Sequence, residues 1–399
     1  MIKDTILIQN DDSDSDVSMD VDSSENEEEE SDSEQSEINE DDEKSNEQEE
    51  DDLVKAINAS KELHREHPPA ISIDDYVGGL CFHPINDLIA LGNLYGDVLL
   101  YKYNNEETNL VSTIELHEKA CRDLKFSNDG EILYSVSKDK SIMITDVQTE
   151  KLKASYDAAH DVPIYTITVL SEDTFATGDE DGTVKLWDLR QKSQTCEFSL
   201  KKMNDYVSTM LTNDDKKYLV CGSGDGSITT INIPARKLHC QSEEYDEEFT
   251  SLGLFKNDTK ILASTSKGKM YLFNWGEFGY HSDEFPNLTK KAINCMVPIT
   301  DNVVITGGED GNLRAYSLFP HRRLGIVGQH NFPIESIDVS NNGTLIASSS
   351  HDNLIKFWNV QYFETMNLQE QIKGGKQVQM KYNLPSSKIN NPSDFFKDL

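Results

Sequence analysis

Residues 177–190 read TGDEDGTVKLWDLR. Asp179, Glu180 and Asp181 followed by Gly182 admit two readings. Three acids and a glycine could open a calcium loop. Alternatively, Asp-Gly ahead of an alternating run is a hairpin signal, because both turn positions tolerate positive φ. Recurrence separates the two. The position of Trp187 is matched by Tyr101, Thr145, Ile231, Phe273, Tyr316 and Trp358, at steps of 44, 42, 44, 42, 43 and 42 residues. Six residues before these positions stand Tyr95, Asp139, Asp181, Asp225, Lys267, Asp310 and Asp352. The next residue is Gly96, Gly182, Gly226, Gly268 or Gly311, with Lys140 and Asn353 as the exceptions. A calcium loop needs further ligands at fixed offsets, ending in a bidentate glutamate. Lys185 and Trp187 follow instead. The stretch is read as a turn, and no metal or cofactor is expected.

Each unit reads as three short strands joined by tight turns. In the third unit, residues 164–169 alternate, a polar turn follows at Ser171-Glu172-Asp173, and two more strands flank the Asp-Gly turn. A fourth strand is expected in the variable stretch, here around Cys196–Leu200. Runs this short cannot bury their faces alone, and four strands per unit of this period indicate propeller blades. The predicted fold is all-β: a single seven-bladed β-propeller over residues 70–361. The units lie near 74–104, 117–149, 159–191, 203–238, 247–279, 290–322 and 329–361. A ring must close or leave an open edge. Ile71-Ser72-Ile73 is the favoured closing strand, and the segment after Val360 is the competitor.

Composition bounds the rest. The 399 residues carry a formal net charge of −35, but residues 11–52 hold 23 acids and one lysine, Lys44. That stretch therefore carries −22, which leaves −13 for the remainder. With few large apolar residues it cannot offset chain entropy, so residues 1–69 are predicted to be a disordered acidic tail and linker. Residues 362–399 are predicted to be a flexible tail. No run of 18 apolar residues is present, so no membrane span is expected. The amino terminus lacks the pattern of a signal peptide. Six cysteines without metal-ligand spacing read as reduced, buried thiols of an intracellular protein.

The repeated positions resemble the WD40 repeat family. In that family a His early in the repeat, a Ser/Thr on the second strand, an Asp in the turn and a Trp on the third strand form a hydrogen-bonded chain. The third repeat offers His160, Thr177, Asp181 and Trp187, and the seventh His330, Ser348, Asp352 and Trp358. The second keeps His117, Ser135 and Asp139, with Thr145 in place of Trp. Repeats one and four to six are degenerate and are expected to lean on apolar packing. A His/Asp/Ser group invites a hydrolase reading. Its recurrence at the repeat period inside strands makes it structural, so the chain is read as non-catalytic. Longer stretches are similar to the WD repeat-containing protein 55 family: CFHPINDLIALGNLYGDV (81–98), HEKACRDLKFSNDGEILYSVSKDKSI (117–142), LASTSKGKMYLFNWGEFGYHSDEF (262–285), KKAINCMVPIT (290–300) and GIVGQHNFPIESI (325–337). The terminal NPSDFFKDL resembles an Asp-Phe-Phe motif near the end of that family, which makes Asp394, Phe395 and Phe396 a candidate docking tail. The resemblance implies a nuclear, largely nucleolar protein acting in ribosomal RNA production and ribosome assembly. Its partners would be pre-ribosomal factors, with the cytoplasm as a second compartment.

Propellers host both enzymes and scaffolds, so function rests on surfaces. The turns after the third strands carry Lys151 and Lys153, Arg190 and Lys192, Arg236 and Lys237, and Arg322 and Arg323. They form a candidate basic face for RNA phosphates or an acidic peptide. The acidic tail of the same chain would compete for it. A second function class comes from Trp187-Asp188-Leu189-Arg190. It resembles the WDxR motif of propellers that recruit substrates to cullin-4 ubiquitin ligases, with Asp188 and Arg190 as candidate ligase-adaptor contacts. A monomeric propeller within a larger complex is expected in either case.

Overall fold

A computed structural model describes residues 67–191, 195–285 and 290–365. The acidic stretch 11–52, Lys192 and the Asp394-Phe395-Phe396 tail lie outside the described residues. The described strands form seven four-stranded antiparallel sheets. Blades 1 to 6 span 77–115, 121–156, 164–201, 207–241, 249–285 and 293–329, each in the order first, second, third, fourth strand. Blade 7 takes its three inner strands from 334–359 and its outer strand from Ile71–Ser72. Every first strand packs against the first strands of the flanking blades, and that of blade 7 against that of blade 1, so the ring is closed.

The amino-terminal segment makes the closure. Ile71 pairs with Ile355 and Ser72 with Leu354. The strand is short for a chemical reason: Pro68 and Pro69 precede it, and neither can donate to the ladder. A core of Ile71, Val77, Leu80, Phe82, Ile89 and Leu91 with Leu345, Ala347, Ile355 and Phe357 fills the seam between blades 7 and 1. Deeper in, the Phe82 amide donates to the Asp338 carboxylate across the same seam at 2.7 Å.

The repeated turn is wider than the two-residue hairpin expected from Asp-Gly. Pairing stops at Gly178–Val184. Only Gly182 has positive φ, +77°, while Asp181 does not. This is a three-residue loop that ends in a left-handed residue. The Asp179 carboxylate organises it by accepting the amides of Asp181 (3.1 Å) and Thr183 (2.7 Å). The left-handed position recurs in all seven blades, including Lys140 (φ 75°) and Asn353 (φ 57°), where the sequence breaks the glycine pattern. At Gly182 the requirement is double. A Cβ there would also lie 2.5 Å from the Met203 carbonyl oxygen, because the strand entering the next blade crosses the turn.

All six cysteines are unpaired, and Cys81, Cys121, Cys221 and Cys295 are buried. Burial pushes the Cys81 thiol up to about 12. Among the described residues no helix is long and apolar enough to cross a membrane.

Ile71 carries the closing contact while Ser72 faces solvent. Ile71→Ala is therefore expected to cost about 2–4 kcal/mol and Ser72→Ala less than about 0.5 kcal/mol. Urea denaturation of the two variants measures this; equal midpoints would mean that the amino-terminal strand does not hold the ring.

Candidate functional site

The polar groups that could be taken for catalytic machinery are tied into the blades. In blade 3 the Trp187 indole N–H donates to Thr177 Oγ1 (2.8 Å), Thr177 lies 2.7 Å from His160 Nε2, and His160 Nδ1 lies 2.8 Å from Asp179 Oδ2. Donors and acceptors alternate along this chain only if the imidazole is neutral, with its proton on Nδ1 facing the carboxylate. Burial lowers the His160 pKa despite the neighbouring acid. Burial also works against the Asp179 charge, but the hydrogen bonds from His160 and the Thr183 amide outweigh it and hold the carboxyl below its ordinary range. Blade 7 repeats the arrangement: Trp358 to Ser348 at 2.8 Å, Ser348 to His330 at 2.8 Å, and His330 to Asp352 at 2.9 Å.

Asp181 is not part of the chain. It sits in the loop and pairs with Lys201 at 3.1 Å, with both side chains more than half exposed. Counting back six residues selects the right acid in blade 7, Asp352 before Trp358, but the wrong one in blade 3. In blade 3 the carboxylate that reaches the imidazole comes from the last residue of the second strand, eight positions before Trp187 rather than six.

The degenerate blades also do not fall back on apolar packing alone. Blade 5 places Glu247 against Thr265 (2.9 Å) and Lys269 (3.0 Å). Blade 6 pairs Asp310 with Arg314, which holds the Asp310 carboxyl down at about 2. Blade 1 joins Asn93 to Asp97. Each turn must still satisfy its amides, and other side chains accept them: Thr265 Oγ1 that of Lys269, Asp310 that of Asn312 and Asn93 that of Asp97. Blade 2 shows the effect of losing the tryptophan. His117 bonds Ser135 and Ser141, but the buried Thr145 hydroxyl has no partner among the described residues.

Asp188 is buried and holds Arg190 in a two-pronged pair (2.9 and 2.6 Å), which leaves the arginine side chain 68% exposed. Lys151, Lys153, Arg236, Lys237, Arg322 and Arg323 are exposed at the turns into the fourth strands. Arg236 is engaged by Glu197 at 2.6 Å. In an antiparallel blade the first-to-second turns open on this same face. They carry exposed Asp87, Asp129, Glu131, Glu172, Asp214, Asp215 and Asp301 beside exposed Lys216, Lys217 and Lys256. The face is therefore of mixed sign and not the uniformly basic surface that the third-to-fourth turns suggested.

The feature that sequence reasoning missed lies at the ring's centre. Every first strand bulges at its second residue. The bulged residues are Gly78, Arg122, Tyr165, Ser208, Thr250, Asn294 and Glu335, and all line one central cavity of about 740 Å³. Bulges re-aim a side chain out of the strand's alternation. Here they turn six dissimilar side chains, and in blade 1 the bare backbone of Gly78, towards the cavity. Arg122 reaches across to Glu180 (2.6 Å) and caps the Tyr165 ring at 5.4 Å, and Tyr165 packs on Tyr206. Comparing repeats with one another discards such positions, because they differ in every copy.

A closed seven-bladed ring clasped by Trp–Ser/Thr–His–Asp chains defines a WD40 propeller. The WDR55 family model matches residues 68–363. The chain is 51% identical to the WD repeat-containing protein 55 homolog of Drosophila erecta, over 88% of this chain and 70% of that protein. It is likewise 51% identical to the homolog of Aedes aegypti, over 88% and 74%. The chain belongs to the WDR55 family.

Asp179→Ala is expected to cost about 2–4 kcal/mol, because it leaves a buried imidazole donor unpaired. Asp181→Ala should cost less than about 0.5 kcal/mol. Thermal or urea unfolding ranks the two, and the reverse order would restore Asp181 to the chain. His160 and His330 both have lowered pKa values in the fold, so below the ordinary imidazole value of 6.5 the unfolded chain binds protons that the folded chain refuses. Stability should fall by about 1–3 kcal/mol between pH 7.5 and pH 5.5. A flat urea midpoint over that range would contradict the neutral assignment.

Proposed function

We propose that the chain is a non-catalytic protein-binding scaffold of the nucleolus that serves ribosomal RNA production and ribosome assembly. The observation that carries the scaffold reading is the use made of the reactive-looking groups. The blade 3 and blade 7 imidazoles have both ring nitrogens engaged within a blade, so neither hydroxyl partner is presented to a substrate. What the ring offers instead is two broad faces and a central mouth lined by residues that differ from blade to blade. The nucleolar and ribosomal part rests on membership of the WDR55 family and on the segments that resemble it. Pre-ribosomal proteins are the proposed partners.

Purification of the tagged full chain from nuclear extract at moderate salt, with and without RNase, tests this. Pre-ribosomal factors retained after RNase are expected. Complete loss on RNase would make RNA rather than protein the ligand. Recovery of a ligase adaptor and cullin without pre-ribosomal components, abolished by Arg190→Ala, would replace the reading with that of a substrate receptor.

A further inference from the structure

The central mouth divides into an aromatic arc and an acidic arc. Tyr76, Tyr165 and Tyr206, at blades 1, 3 and 4, line the same cavity as Glu248 and Glu335, at blades 5 and 7. Contacts tie each acid to a tyrosine. The Tyr165 and Tyr206 rings lie 4.9 Å apart, and the Tyr206 hydroxyl donates to Glu248 Oε2 at 3.1 Å. Tyr76 packs on His351 at 4.8 Å, and His351 Nε2 lies 2.6 Å from Glu335 Oε1. The two groups are within electrostatic reach of one another. Burial first, and then the charge of Glu335, raises the Tyr76 hydroxyl pKa. Burial also raises that of Tyr165, with Arg122 opposing and Glu335 adding.

The charges that line the cavity are of both signs and are unevenly placed. Arg122 of blade 2 is spent on Glu180 at 2.6 Å and lies over the Tyr165 ring at 5.4 Å, so one tyrosine already carries a guanidinium. Lys138 is on the same blade. Further along the first strands, burial works against the Lys125 charge, but Asp123 outweighs it and Asp338 adds to the effect. Those two carboxylates therefore already share a cation. Glu248 and Glu335 differ. What holds them among the described residues is a phenol and an imidazole. Asn294, on blade 6 between them, donates its amide to the Ile334 carbonyl at 2.9 Å, which leaves its side-chain oxygen as a third acceptor. Two carboxylates and an amide oxygen beside tyrosine rings suit a planar cation with several donors. Its forked N–H groups pair with the acids while its flat face lies on a ring. An anionic group would meet two acids on this side of the mouth, which opposes it.

We infer that the mouth receives a single arginine side chain of a partner protein. The guanidinium sits in the arc of Glu248, Asn294 and Glu335, and its flat face lies against the tyrosines. A cavity of about 740 Å³ has room for a side chain of this size. The inference rests on the scaffold reading and names the chemistry that the ring recognises at its centre.

The test uses the purified full chain and peptide pools with random flanks and one fixed central residue: arginine, citrulline, lysine, trimethyl-lysine or glutamate. Citrulline keeps the shape of arginine and removes its charge. The arginine pool should be retained at least about ten-fold over the citrulline and glutamate pools, and about three-fold over lysine. Glu248→Gln combined with Glu335→Gln should reduce the preference for arginine over citrulline to less than about two-fold. Tyr206→Ala should weaken retention of the arginine pool by about ten-fold. The glutamine pair is isosteric, so the test does not depend on the folding of Tyr206→Ala, which its melting temperature reads. Residues 11–52 hold 23 acids and can retain cationic peptides by charge alone, but such binding survives the glutamine pair. Equal retention of arginine with citrulline or with lysine, or a preference for trimethyl-lysine or glutamate, would each overturn the inference. So would arginine binding unchanged in the glutamine pair or in folded Tyr206→Ala. Pre-ribosomal factors recovered with the wild-type chain from nuclear extract, without enrichment of the arginine pool, would overturn the arginine site alone and leave the scaffold role on another surface.

Discussion

The ring depends on one contact that joins the two ends of the described propeller. Six blades are built from consecutive strands, but the seventh borrows its outer strand from residues more than 280 positions earlier. Without Ile71–Ser72, the third strand of blade 7 would be an open edge, the element most prone to pair with another chain. The strand supplies only two ladder pairs, because Pro68 and Pro69 stop it. The seam is therefore held mainly by side chains: the apolar core from Ile71 to Phe357 and the Asp338 carboxylate on the Phe82 amide. Burial raises the Asp338 pKa, so that clasp is a desolvated one, expensive to form and costly to break.

The same seam is packed by aromatic rings as well. Tyr76 follows directly on the closing segment and packs on His351 of blade 7. The Trp–Thr–His–Asp chain of blade 3 stands between sheets, where a neutral imidazole lets each hydroxyl and N–H find one partner. Blades that lack this chain meet the same demand differently, with Thr265 accepting the Lys269 amide, Asp310 that of Asn312, or Asn93 that of Asp97. The demand comes from the turn, whose backbone amides must be satisfied whatever residues are present.

Much of the architecture was legible because it repeats. Spacings of 42 to 44 residues, the left-handed turn position and the alternating strands are local properties, and local properties leave a period in the sequence. The closing strand was legible from the need to avoid an open edge. The identity of the acid in blade 3 was not. Three acids in four residues look alike in one dimension, and only the direction of the strand end sends Asp179 to His160 and Asp181 to Lys201. The charge of the loop face was not legible for a related reason: antiparallel strands bring the third-to-fourth and the first-to-second turns to one side, which the sequence of either turn alone does not show.

The sequence by itself determined the strand count, the seven-fold repeat, the residues that clasp blade 7 and the family resemblance, since each is written in local pattern or in long matching segments. Only the tertiary structure decided which side chains meet at the centre and at the seam. The bulges that aim Arg122, Tyr165 and Glu335 into the channel mouth leave no periodic trace, because their side chains differ in every blade. Tyr76 and His351 lie in distant segments of the chain and meet only when the ring closes. Recognition by a ring depends on what its repeats do not share, and that becomes visible once the blades stand side by side.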